Sequence, residues 1–77
     1  MKNYPVKIKN IAELRKFRRM VRKNHLYGQI QQKDFTADVR SVFTILMALP
    51  LDNASISLTN CPEHKAVEIE NQFRAFA

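Results

Sequence analysis

The stretch Tyr4-Pro5-Val6-Lys7-Ile8-Lys9-Asn10-Ile11-Ala12-Glu13-Leu14 changes its hydrophobic period partway along, and that change decides the fold class. Tyr4, Val6 and Ile8 alternate with Pro5, Lys7 and Lys9, the period of two that marks a half-buried strand. Asn10-Ile11-Ala12-Glu13 then reads as a capping box: the Asn side chain accepts from a first-turn N–H and the glutamate reaches back. Beyond it Leu14, Phe17 and Val21 recur at helical spacing, with Met20 at the margin of the stripe. A helix is expected from Ile11 to about Asn24.

The same two periods alternate through the rest of the chain. Leu26, Gly28 and Ile30 alternate with Tyr27, Gln29 and Gln31 and predict a second strand. Gln32-Lys33-Asp34 is a hairpin turn without the Asn-Gly or Asp-Gly signal. Phe35, Ala37 and Val39 predict a third strand, with Phe35 inward. Ser41 is a favourable N-cap for a short helix from Val42 to about Leu49, which Pro50 ends because it lacks an N–H and restricts the residue before it. Ala54, Ile56 and Leu58 predict a fourth strand. Asn60 or Cys61 is expected to cap a last helix, with Pro62 near its first position and an apolar stripe of Ala66, Ile69, Phe73 and Phe76.

Every strand alternates, the pattern of a sheet covered on one face only. The expected architecture is α+β, an open-faced sandwich with the order β-α-β-β-α-β-α. It is a four-stranded, mostly antiparallel sheet with three helices on one face, forming a single domain over residues 1–77. The bare face should carry Lys7, Lys9, Tyr27, Gln29, Gln31, Thr36, Asp38, Ser55, Ser57 and Thr59.

Composition narrows the class of function. A hydrophobic share of 45% is that of a globular chain rather than a disordered tail. One cysteine cannot staple a small fold, the opening residues have no apolar run of the signal-peptide kind, and Ile45 to Leu51 is too short to span a bilayer. The cytoplasm is the expected location. A net charge of +6 points to nucleic acid, an anionic surface or an acidic protein as partner.

Six of the nine residues from Arg15 to Lys23 are Lys or Arg, and no acidic residue falls between Glu13 and Asp34. A docking surface for phosphates or an acidic protein stands against a merely solvated helix face; with no neighbouring carboxylates to offset it, the cluster works against its own helix. Cys61 and His64 have the spacing of two metal ligands, but only His25 could add a third, so no metal site is expected. As a nucleophilic pair they lack an orienting group. His25 ends the first helix, where it complements the dipole. Of the acidic residues on the last helix, Glu63 complements the dipole and Glu68 and Glu70 read as solvated. With one glycine there is no glycine-rich phosphate loop. No catalytic set and no cofactor site are expected.

Three segments, read in this order of elements, carry a resemblance. Val39-Arg40-Ser41-Val42-Phe43 places a basic residue, a serine and two apolar residues at a helix start. Leu49 to Leu58 supplies the following loop and strand, and Lys65-Ala66-Val67 opens the last helix. Together with Val6-Lys7-Ile8, these segments resemble HPr, the histidine-containing phosphocarrier protein of the bacterial phosphotransferase system. HPr carries a phosphoryl group on the histidine of a Gly-(Leu/Ile)-His-x-Arg-Pro-Ala segment between the first strand and first helix. The stretch Lys9 to Arg15 stands there instead, shorter and without His, Gly or Pro, and the glycines common in the loop before the fourth strand are also absent. The resemblance therefore implies a diverged, non-catalytic member, since the transfer needs an exposed imidazole at a helix start. It further implies that Ser41 matches a regulatory phosphorylation position, beside Arg40, where N-capping alone would also account for a serine. Val42 and Leu46 match an apolar docking patch.

The expected function is recognition of a protein with an acidic surface, through Arg15, Arg18, Arg19, Arg22 and Arg40 together with Ser41, Val42 and Leu46. The alternative is a nucleic-acid-binding domain using the first helix. An RNA-recognition motif shares the β-α-β-β-α-β order, but it stacks bases on aromatics of the open face, where only Tyr27 is expected here. An oligomer contact or an anionic membrane surface is a third use of the basic helix.

Overall fold

The structure, a computed structural model, describes residues 2–60 and 63–76. Strand β1 runs Lys2–Ile8, helix α1 Ile11–Lys23, β2 Gly28–Gln32, β3 Phe35–Asp38, helix α2 Val42–Ala48, β4 Leu51–Leu58 and helix α3 Ala66–Phe73. Single 3₁₀ turns, Glu63–Lys65 and Arg74–Phe76, flank α3. The four strands form one sheet in the order β1-β4-β2-β3, and every pair is antiparallel. The expected α+β architecture is the one found.

One face of the sheet presents Tyr4, Val6, Ile8, Ile30, Ala37, Ala54, Ile56 and Leu58 to the helices, and these residues share one core with Leu14, Phe17, Ile45, Ile69 and Phe73. Met20 is buried with them rather than marginal. Two aromatic contacts fix the C-terminal segment: Tyr4 stacks on Phe73 at 4.8 Å, and Phe17 meets Phe76 edge-on at 5.8 Å. On the other face Lys7, Gln29, Gln31, Thr36 and Asp38 are exposed, with Ser55 and Ser57 half-buried on the central strand β4. The strand order leaves β1 and β3 as edges. β1 carries Pro5 in its middle, and β3 has four residues.

Local chemistry explains where the elements begin and end. The Asn10 side chain accepts from the Glu13 N–H at 2.9 Å, and Glu13 reaches back to the Lys9 N–H at 3.0 Å. At the other end of α1, Leu26 N–H donates to Val21 C=O and His25 N–H to Arg22 C=O, with His25 at φ 53°. This is a Schellman motif with Leu26 packed near Val21, and histidine holds the left-handed position that glycine usually takes. His25 is therefore structural, as expected, but through its backbone conformation. The β2–β3 turn is similar: Lys33 at φ 52° and Asp34 close a two-residue turn between the paired Gln32 and Phe35.

Several boundaries differ from the sequence reading. Leu26 and Val39 are buried, but they lie just outside β2 and β3, where the chain leaves the ladder to reach a helix. β4 starts at Leu51, three residues before the alternation becomes visible, and α2 ends at Ala48. The Leu49–Pro50 peptide bond is cis. Asn60 does not cap the last helix. Its side chain accepts from Tyr27 N–H and donates to His25 C=O, each at 2.8 Å, pinning the α1–β2 link to the end of β4. Cys61 and Pro62, and with them the other proposed cap and the Cys-x-x-His pair, lie outside the described residues, as does the Glu63 side chain.

Gly28 is the one position where the sheet needs a glycine. A Cβ there would collide with the Ser57 carbonyl oxygen of β4.

Candidate functional site

The junction between β3 and α2 shapes the surface of interest. After β3 the chain turns on Asp38: its carboxylate accepts from Arg40 N–H at 2.8 Å and its carbonyl accepts from Ser41 N–H at 3.0 Å. This turn places Arg40 against the α1–β2 link. Its Nε donates to Leu26 C=O at 3.0 Å, and its guanidinium lies over the Tyr27 ring, 4.1 Å from the centroid. Arg40 is thus held by three contacts before any partner arrives. No local pattern signals this pair, because Tyr27 and Arg40 meet only through the fold.

α2 packs beside α1, and between them lies an open groove of about 500 Å³. Arg18 and Arg22 line it from α1, Arg40 and Ser41 from the junction, and Val42 and Phe43 from α2. Five of the eight residues singled out from the sequence therefore meet in one place. Arg15 and Arg19 lie on the adjoining outer surface of α1 with Lys23. Among the described residues, no cation of α1 forms an ion pair; the ion pair present is Glu70–Arg74 on the far helix, at 3.9 Å. Leu46 is not in the groove. It lines a separate cleft with Asn10, Ile11, Ala12, Leu49 and Pro50, at the opposite end of α1 from His25.

Ser41 occupies the N-cap position of α2, but its side chain makes no cap hydrogen bond. Its backbone carbonyl accepts from Ile45 N–H instead, and the half-buried residue sits on the groove wall. Capping therefore does not explain the hydroxyl.

The sequence reading missed Phe43 and Met47. They stand 82% and 88% exposed on α2, four residues apart and so on one face of the helix. Val42 and Leu46, named in their place, are half-buried and pack against the core. A signal was present: Val42-Phe43-Thr44-Ile45-Leu46-Met47-Ala48 is apolar nearly all round, and a seven-residue helix on a small domain can bury only one side.

The bare sheet face offers little to stacked bases. Tyr27 already lies beneath Arg40, and Phe35 is half-buried against the core. Among the described residues there is no group of three or more metal-ligating side chains, and no helix is long and apolar enough to cross a membrane.

No protein-family model matches the sequence, and no curated protein is significantly similar to it. The fold has a solved counterpart. The crystal structure of HPr-C-His from Thermoanaerobacter tengcongensis matches with a TM-score of 0.70, over 97% of this chain and 93% of that one, at 15% sequence identity. This chain has the HPr-like fold. Within that fold, the groove lies toward the C-terminal half of α1, and the Leu46 cleft lies at its N-terminal end.

Proposed function

We propose that the protein is a diverged HPr-like binding module of the bacterial cytoplasm. In this reading it has no phosphoryl-carrier activity and docks a partner protein of the phosphotransferase system, or a regulator of it, across α1 and α2. The observation that carries the reading is the pairing of an exposed apolar ridge, Phe43 and Met47, with a groove lined by Arg18, Arg22 and Arg40. Apolar anchors ringed by charge are what protein interfaces use for affinity and for partner choice. The unpaired cations of α1 set the partner's complement as acidic.

The loss of carrier chemistry rests on the stretch Lys9 to Arg15, which holds no histidine. The surface beside it is the apolar cleft of Ile11, Leu46, Leu49 and Pro50, and His25 stands at the far end of the helix. Ser41, with its uncommitted hydroxyl beside Arg40, is the candidate for regulatory phosphorylation; a phosphoryl group there would offset much of the groove's positive charge.

Two measurements test the reading. Incubation with phosphoenolpyruvate and the first enzyme of the phosphotransferase system leaves the protein without phosphohistidine; a labelled histidine would overturn the loss of carrier activity. NMR titration of the labelled protein with purified proteins of that system moves resonances of Arg22, Arg40, Phe43 and Met47 first. A footprint on the bare sheet face, or none with any of them, would overturn the docking.

A further inference from the structure

The groove holds more positive charge than an ordinary acidic side chain requires. Arg18, Arg22 and Arg40 line it, and none is paired with a carboxylate among the described residues. We propose that it reads a phosphorylated serine or threonine in a segment of the partner protein, and that the apolar side chain next to that residue packs on Phe43 and Met47. This rests on the protein-docking reading and names what the docked segment carries.

Three features point to a dianion. A carboxylate carries one charge and two oxygens, whereas a phosphate ester carries about −1.5 to −2 near neutral pH and three acceptor oxygens. Guanidinium forks match phosphate in a bidentate way, and all three groove cations are arginines. Arg40 is also held in place in advance: Tyr27 supports its plane and Leu26 C=O takes its Nε–H, so the terminal amino groups are left to donate. A side chain already fixed loses little freedom on binding. The Ser41 hydroxyl, which caps nothing, adds a donor on the groove wall.

Two further features point to a peptide rather than a nucleic-acid strand. The α2 wall of the groove is apolar at Val42 and Phe43, and Met47 stands exposed one helical turn beyond Phe43. The clustered positive charge is confined to α1 and the groove beside it and does not extend over the bare sheet face, which is lined mainly by Gln29, Gln31, Thr36, Ser55 and Ser57. One anionic group beside one apolar residue fits that layout, in the manner of arginine-cluster readers of phosphorylated segments. Arg15, Arg19 and Lys23, outside the groove, would speed encounter.

The test uses the full chain and three peptide pools with randomised flanks around a central phosphoserine, serine or glutamate, with inorganic phosphate and oligouridylate as further probes. The phosphoserine pool is retained at least about tenfold over the serine pool, as charge-assisted contacts of this kind allow. Sequencing of the bound peptides shows apolar residues enriched beside the phosphoserine. Arg18→Ala with Arg22→Ala abolishes the preference for phosphate. Phe43→Ser abolishes the apolar enrichment and leaves the phosphate preference, with an unchanged circular dichroism spectrum in each case.

Equal retention of the phosphoserine and serine pools overturns the proposal. So does oligouridylate binding more tightly than the phosphoserine pool, which would make the groove a nucleic-acid site. Inorganic phosphate binding as well as the peptides, without flank preference, reduces the groove to a simple anion site and also overturns it. The NMR footprint separates the two readings: if an unphosphorylated partner still moves Arg22 and Phe43, docking stands and phosphate recognition falls.

Discussion

Helices α1 and α2 cover neighbouring parts of the same sheet and do so on opposite terms. α1 buries Leu14, Phe17, Met20 and Val21 and turns Arg15, Lys16, Arg18, Arg19, Arg22 and Lys23 to solvent. α2 buries Ile45 alone and leaves Phe43 and Met47 in water. α1 is capped by side chains at its start and by a Schellman turn at its end. The N-cap serine of α2 makes no side-chain cap bond, and the helix stops before a proline. The difference separates two duties. The long helix buries four side chains and presents charge, while the short one is held to the core mainly through Ile45 and leaves an apolar side exposed.

That contrast can be broken by substitution, and the largest effect belongs to α1. Phe17 has no exposed surface and touches Phe76 edge-on, so Phe17→Ala is expected to lower the unfolding free energy by about 3–5 kcal/mol in urea titration. A loss below about 1 kcal/mol would mean that α1 is not the anchor. Ile45→Ala comes next, near the lower end of about 2–5 kcal/mol. Because Ile45 is the one buried residue of α2, the change frees that helix first. Hydrogen exchange should rise at Ile45 to Ala48 while the amides of β4 remain protected.

The two caps sharpen the contrast on a smaller scale. Asn10→Ala removes a side-chain cap and should lower stability by about 1 kcal/mol. Ser41→Ala removes no cap bond and should stay within about 0.5 kcal/mol. Equal losses at the two positions would show that Ser41 caps α2 in solution. Opposite in sign is His25→Gly: it relieves a left-handed non-glycine residue and should raise the unfolding free energy in urea titration by up to about 0.5 kcal/mol after the added freedom of the unfolded chain is counted.

What could be read in the sequence was what is written locally. Tyr4, Val6 and Ile8 announce a strand, and Asn10 with Glu13 announces a helix start, because periodicity and capping act over a few residues. The Arg18, Arg22, Arg40, Ser41 and Val42 cluster was legible only through a family resemblance. Nothing in the spacing of Arg22 and Arg40 shows that α1 and the β3–α2 junction share a groove. Asn60 looked like a cap because its neighbours did; its true partners, Tyr27 and His25, are more than thirty residues away in sequence. Phe43 was lost because an all-apolar helix does not say which side faces inward. Counting the one stripe that so short a helix can bury would have left Phe43 or Met47 in solvent.

The edges of the sheet carry a last consequence. A sheet with one bare face and two free edges offers passing copies a place to add a strand and extend into a fibre. Pro5 breaks the row of donors on β1 at its middle residue, and β3 is too short to template a long ladder. The molecule can thus leave its helical side sticky with Phe43 and Met47 while its strand side stays inert toward its own kind.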